Sequence, residues 1–480
     1  MEDSRATDSN GNGDISPPAG EPKAHLGLFD AVSIIIGIVI GATIFRSAPL
    51  IMSNVKSPGL GLTIWALGGL LSLVGAICYA ELASTYPRSG GDYNYLTRAF
   101  GPWLGFLFGW AQLVAVLTAS IGSMAFVFAD YAVQLWGLPK ETTAWFAAGA
   151  VVAITALNFL GVVLSKLGQN LLTMGKLIGL AGIVAAGLLY GQTGAWHVEK
   201  PIGPLGMGVA MIIVLYAYGG WNDAAFVAAE LRNRRHIATA LILGTTAITL
   251  IYLAVNAAYI SGLGFEGVRS SKAIASDVFK GPLGSNGERA MCVLVMVSAL
   301  GAINGLIFTG SRVYATLGRD HPVFEWLGRW HPSLGAPIRS LTAQAAVALL
   351  MILGVGTELG RRYIDNLLTW VGMDAIPWDK YDGGFGTMLA VTAPPFWTFF
   401  LLSGLSLFAL RQRDPDRERP FKVTFFPELP LVFCLTCLYM LIQAVDFAGK
   451  LTWFSVIPLL LGVPLYRLSE WLRTEPLASD

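Results

Sequence analysis

Charge is scarce in this sequence. Of its 480 residues, 13% are Asp, Glu, Lys or Arg, about half the share of an ordinary soluble domain, which excludes a conventional water-covered globule. The charges also nearly cancel, leaving a formal net charge of +1, so there is no basic excess to attract a nucleic acid. Cysteine is rare as well. Cys78, Cys292, Cys434 and Cys437 all fall inside apolar runs, and no disulfide framework is indicated. Cys434 and Cys437 have CxxC spacing, but the surrounding FCLTCLYM is lipid-compatible helix, and the pair reads as small core residues. No His/Cys/carboxylate set has metal-ligand spacing, and no Ser-His-Asp arrangement can be drawn. A bound metal, a cofactor and an enzymatic function are therefore not expected.

What the sequence has is apolar length. Hydrophobic residues make up 54% of the chain, and runs of 18 or more with few charges read as membrane-spanning helices. Twelve such segments lie near 28–53, 60–86, 103–136, 143–164, 170–190, 206–230, 237–262, 287–317, 338–357, 393–411, 429–447 and 451–472. The expected class is an all-α integral membrane protein of one domain over 25–473, in contact with lipid. Residues 1–24 are polar and rich in Gly, Pro, Ser and Asp and read as a disordered cytoplasmic tail; residues 474–480 read as a short C-terminal tail. An even number of spans places both termini on one side. Arg88, Arg98, Lys166, Arg232, Arg234, Arg235 and the run from Arg411 to Lys422 put the basic excess on that side, which makes it the cytoplasmic face of a plasma (inner) membrane.

Glycine interrupts two of the spans at corresponding positions. GIVIGATIF (Gly37 to Phe45) crosses the middle of the first, and LYAYGGWNDAAF carries Gly219 and Gly220 in the sixth. Glycine weakens a helix, and an unpaired backbone group in lipid is costly. Either cluster alone fits close helix packing. Together, each opening a block of five spans, they point to an inverted-repeat transporter with discontinuous helices 1 and 6. The repeats would cover about 28–190 and 206–411, with helices 11 and 12 at 429–472. Half-helix N-termini then offer N–H groups to an anion and half-helix C-termini offer carbonyls to a cation, which suits the two charges of an amino acid.

These segments resemble those of a known family. IGIVIGATIF is similar to the first-helix signature of the amino acid–polyamine–organocation superfamily, and YAYGGWNDAAFVAAE to the sixth-helix signature of its L-amino acid transporter branch. CYAELASTYPRSGGDYNYL, NLLTMGKLIGL, GAINGLIFTGSRVYATLGRD and LRQRDPDRERPFKV match in order, so the resemblance covers about residues 25 to 473. It implies a sodium-independent secondary transporter of L-amino acids that works by alternating access, with exchange or proton coupling. It places Val39, Ile40, Gly41, Ala42, Thr43, Tyr216, Ala217, Gly219 and Asn222 around the substrate. The carboxylate would meet N–H groups of Ala42 and Thr43, and the amine would meet carbonyls of Val39, Ile40, Tyr216 and Gly219. Tyr216 would double as an outer gate. Lys176 would reach between helices 1 and 8, where sodium-coupled relatives bind an ion, and could couple a proton; the other reading is a lysine that snorkels to the inner interface.

Two departures qualify the resemblance. Thr43 stands where the family usually has Gly, which puts a methyl and a hydroxyl at the carboxylate site. The segment WGLPKETT, Trp136 to Thr143, lacks the cysteine by which animal members join a glycoprotein subunit, so no disulfide-linked heavy chain is expected. Glu81 and Glu230 are candidate inner-gate carboxylates, with Arg88 and Arg98 near the first and Arg232 to Arg235 near the second, or else ordinary helix-end charges. Arg46 is expected to pair with a carboxylate. Trp221 reads as a packing residue or a pocket residue, and 358–392 as an outer loop with an interfacial helix or as a lid. A polyamine or organic-cation permease ranks lower, because the acidic residues placed so far lie at helix ends. A receptor that binds an amino acid without moving it also remains open.

Overall fold

A computed structural model describes residues 25–474 apart from 42, 192–195, 197–205, 234, 272–273, 285, 371, 373 and 382. Both expected tails, and Ala42 of the expected site, lie outside the described residues. Among those residues the chain is helical throughout, with one isolated bridge between Leu26 and Leu231.

The helices follow the apolar runs. They are α1 (Leu28–Val39), α2 (Ser47–Ser53), α3 (Pro58–Thr85), α4 (Asp92–Phe100), α5 (Pro102–Trp136), α6 (Thr143–Phe159), α7 (Val162–Leu189), α8 (Met207–Ala217), α9 (Trp221–Glu230) and α10 (His236–Ser270). They continue as α11 (Ile274–Leu283), α12 (Asn286–Asp320), α13 (Ile338–Gly356), α14 (Glu358–Trp370), α15 (Gly383–Arg413), α16 (Glu428–Ala448) and α17 (Thr452–Thr474). Ten helical stretches among the described residues are long and apolar enough to cross a membrane, and α1 is a shorter apolar helix. The last of the ten, Glu428–Arg473, is interrupted at Gly449, where φ is 51°. Leu171, Ile178, Leu188, Leu250, Leu350, Leu435 and Leu460 are exposed, as expected of a bundle bathed in hydrocarbon rather than water.

Several boundaries differ from those read off the sequence. The helix α7 begins at Val162 rather than near 170, so Lys166 and Asn170 sit on its first turns, where they bond Asp30. The helix α15 begins at Gly383 rather than 393. Its front, GGFGTMLAVTAPP, is diluted in hydropathy by glycine and carries Pro394 and Pro395 inside the helix, features that ordinarily signal a loop. The expected outer loop therefore shrinks to α14 and the residues up to 382. On α14, Leu359, Tyr363, Leu367 and Trp370 are exposed, and Asp365 accepts hydrogen bonds from Trp378 Nε1 and the Ile376 N–H.

The end of the bundle carrying residues 25–30 is called proximal below, and the other end distal. At the proximal end, the N–H groups of His25 and Leu26 donate to the Glu230 carbonyl at 3.0 and 2.9 Å, and Arg232 N–H donates to Leu26 O. This short extended segment ties the start of α1 to the end of α9.

Candidate functional site

Both glycine-marked helices are broken. The helix α1 ends at Val39 and the chain re-enters a tight turn at Thr43–Phe45 before α2; α8 ends at Ala217 and the tighter α9 starts at Trp221. Gly220 has φ 106°, and a Cβ there would come within 2.7 Å of Ile38 Cγ2, so the second break needs glycine for both its backbone and the approach of α1. Gly37 has a different reason: its missing Cβ leaves room for the Gln169 amide of α7.

The two breaks face a common cavity of about 110 Å³, room for roughly eight waters. Val39, Gly41, Thr43, Tyr216, Ala217, Gly219 and Asn222 of the expected site line it. Ile40 does not. Its side chain is fully buried, and its carbonyl faces the other way, accepting from Lys176 Nζ and lying 3.0 Å from Ser298 Oγ. The Tyr216 carbonyl already accepts the Gly219 N–H at 3.1 Å. Carbonyls at the breaks are thus partly occupied by the protein itself, with Val39 O and Ala217 O each 3.0 Å from the hydroxyl of Tyr252 on α10. One phenolic proton serves both breaks.

Lys176 is fully buried and does not snorkel. Its ammonium donates to Gly37 O at 2.7 Å and to Ile40 O, while Ser298 Oγ of α12 lies 3.0 Å from Gly41 O. The last turn of α1, with its unsatisfied carbonyls, is therefore held by a cation from α7 and a hydroxyl from α12.

Four features of the wall were not singled out in the sequence. Gln112 opens a π-helical turn over Gln112–Val116 inside α5, a deformation common at functional sites, and its carbonyl takes the Tyr314 hydroxyl at 3.0 Å. Ser120 and Ser123 bring hydroxyls from the same helix. Thr392, Phe396 and Trp397 come from α15, and Asp223 from the first turn of α9. The acid at 223 corrects the expectation that no acidic residue faces the pocket. Its signal was present as a carboxylate inside an apolar span. Trp221 packs rather than lines, edge-on to Tyr79 at 5.2 Å and near Phe400 and Phe433.

The proximal carboxylates pair differently from the sequence expectation. Glu230 forms a fully buried bidentate pair with Arg312 of α12, at 2.7 and 3.1 Å, not with Arg232 or Arg235. Glu81, also buried, meets Arg411 and Arg419 and accepts the Val423 N–H at 2.6 Å. Arg88 and Arg98 pair instead with Asp320 and Asp414. Local sequence favoured near neighbours, whereas the helical bundle brings partners from distant segments. The Arg98 hydrogen bond holds the Asp414 carboxyl down at about 2 against its partial burial, with Tyr86 assisting. On α4, burial pushes Asp92 up to about 6, opposed by hydrogen bonds from Ser403 and Tyr79.

At the distal end a larger cavity, about 580 Å³, includes Arg46, Asp130 and Glu288. Arg46 lies 3.5 Å from Asp130, in line with the expected pairing. Among the described residues, no group of three or more His, Cys, Asp or Glu could hold a metal ion.

Comparisons with known proteins agree with this architecture. The profile of the family described as "Amino acid permease" matches residues 26–463. The human cystine/glutamate transporter is 29% identical over 470 residues, covering 95% of this chain and 88% of that protein. The b(0,+)-type amino acid transporter 1 of Mus musculus is 27% identical over 467 residues, covering 94% and 89%. The serine/threonine exchanger SteT of Bacillus subtilis (strain 168) is 26% identical over 453 residues, covering 92% and 96%.

Proposed function

The chain belongs to the amino acid permease family, and on that premise we propose that it carries L-amino acids across the plasma (inner) membrane by alternating access around the central cavity. The observation that carries this reading is the meeting of two broken helices at one cavity. A zwitterion needs an anion site and a cation site a few ångströms apart, and paired half-helix termini supply them. The substrate carboxylate is assigned to the backbone N–H groups of Ala42 and Thr43, and its amine to the carbonyls of Val39, Tyr216 and Ala217. The Thr43 side chain and the Tyr216 ring border the side-chain space, with Tyr216 as the outer gate.

Transport is sodium-independent in this reading, because the Lys176 ammonium already sits on the α1 carbonyls where a cation would bind. Coupling is by exchange or by a proton passing through Lys176. The proximal end is the cytoplasmic one, and the Glu230–Arg312 and Glu81–Arg411 pairs close it. The chain spans the membrane twelve times, with α1 and α2 together forming the first span and α16 and α17 the last two, and five-helix inverted repeats set the two breaks opposite each other. No cysteine lies between Trp136 and Thr143, so the carrier works without a disulfide-linked heavy chain there.

A second reading, a polyamine or organic-cation permease, is favoured by one observation, the Asp223 carboxylate on the cavity wall. Uptake into proteoliposomes separates the two. A panel of labelled L-amino acids and putrescine is tested with and without an inward proton gradient, with unlabelled amino acid inside, and with choline replacing sodium. Amino acid uptake that survives sodium removal and rises with internal amino acid or with the proton gradient is the expected result. Uptake of putrescine with no uptake of any amino acid overturns it.

A further inference from the structure

We propose that Asp223 makes the central cavity selective for amino acids whose side chain carries a cation, an ammonium or a guanidinium group. This rests on the reading of the cavity as an amino acid site and names the substrate class within it.

The carboxylate of Asp223 lines the cavity and is 6% exposed. Among the described residues it forms no ion pair, and its hydrogen-bonding neighbour is the Asn222 amide. A second buried carboxylate, Asp92, is close enough for their charges to interact. Asp92 is already engaged by the hydroxyls of Tyr79 and Ser403, so it is not free to turn into the cavity. One carboxylate therefore faces the cavity, a second lies near it, and among the described residues no cation lines the cavity. Lys176 is directed at the α1 carbonyls instead.

Burying an ionised carboxylate without a partner costs several kcal/mol. Asp223 stands in the first turn of α9, where the helix dipole favours negative charge. A proton or the ligand then supplies the missing counter-charge. The α-amine of a bound amino acid does not supply it in this geometry, because the carbonyls of the two breaks take that group. A cationic side-chain terminus does. Phe396 and Trp397 also line the cavity and add aromatic side chains, to whose faces a cation is attracted. A neutral side chain of equal length would leave the carboxylate desolvated and unpaired, which is the condition that gives strong discrimination.

The test uses the full chain in proteoliposomes. Uptake of a labelled neutral amino acid is competed with L-ornithine, L-lysine and L-arginine, and with the near-isosteric neutral L-norleucine and L-citrulline. The cationic set should inhibit at concentrations lower by about tenfold or more. Asp223→Asn should bring the two sets to within about threefold of each other, and Asp223→Glu should keep the order. If a variant has too little uptake to compete, the same comparison is read from the rise in melting temperature that each amino acid gives the purified protein. Equal inhibition by both sets in the parent, or a preference that survives Asp223→Asn, overturns the proposal and leaves amino acid transport standing. Absence of any amino acid uptake or binding, with putrescine carried, overturns the carrier reading and this inference with it.

Discussion

Lys176 presents a conflict that can be settled at the scale of one residue. It is fully buried, and among the described residues no carboxylate pairs with it; two backbone carbonyls do. An uncompensated buried ammonium is costly, but each charge-assisted bond to a carbonyl returns about 1.5–3 kcal/mol. These effects nearly cancel, so stability alone does not explain the residue. Lys176→Met is therefore expected to fold with a melting temperature within a few degrees of the parent. Its amino acid uptake should fall by about tenfold or more, because the carbonyl end of α1 loses the cation that holds it. Retained uptake with a large drop in melting temperature would make Lys176 a bracket and nothing more. That residue was legible in the sequence because a lysine inside an apolar span stands out. Ser298, which shares the Ile40 carbonyl with Lys176, and Tyr252, which lies on the carbonyls of Val39 and Ala217, were not, since a hydroxyl residue in an apolar run carries no signal until its neighbours in space are known.

At the scale of elements, both breaks were visible as glycine clusters, and residues of both line one cavity. The side chains that pair at the proximal end were visible only as charges without partners. Glu230 at the end of α9 was read against the arginines that follow it, yet the bundle delivers Arg312 from the middle of α12. The same blindness moved the start of α15 by ten residues and hid Thr392 inside an apparent loop. The corrected pairing makes a quantitative claim. Removing one partner of a buried bidentate pair leaves an isolated charge and costs about 3–5 kcal/mol. Glu230→Gln and Arg312→Gln should each lower the melting temperature markedly, while the double variant should lose less than the sum of the two, by about 1–3 kcal/mol. Additive losses in a thermal melt would show that the two groups do not act as a pair. If the pair also closes the cytoplasmic end, either single variant should raise labelling of a cysteine introduced on the cavity wall by a membrane-impermeant thiol reagent applied from that side.

For the whole molecule, the question is what joins the two broken helices to the rest of the bundle. On one side the α7 lysine and α12 serine hold α1. On the other, Asp92 of α4 gathers Tyr79 from α3 and Ser403 from α15, and senses Asp223 on α9. Lying outside the candidate spans, α4 thus ties α3 and α15 through one buried carboxyl. Burial raises that carboxyl to about 6 from an ordinary 3.8, so the folded protein holds the proton across a range where the unfolded chain has released it. The contribution is fully present below pH 4 and is lost as pH rises through about 6, a difference on the order of 2–3 kcal/mol. The melting temperature in detergent should therefore decline between pH 4 and pH 7. Asp92→Asn, which keeps the shape and an acceptor but cannot ionise, should flatten that decline and be the more stable of the two at pH 7. A parent curve that is flat over this range, or a slope that Asp92→Asn leaves unchanged, would place the ionisation elsewhere. The consequence for transport follows from position: a carboxyl that charges beside Asp223 near pH 6 strengthens the field that a cationic side chain meets, so its apparent affinity should rise with pH over the same window.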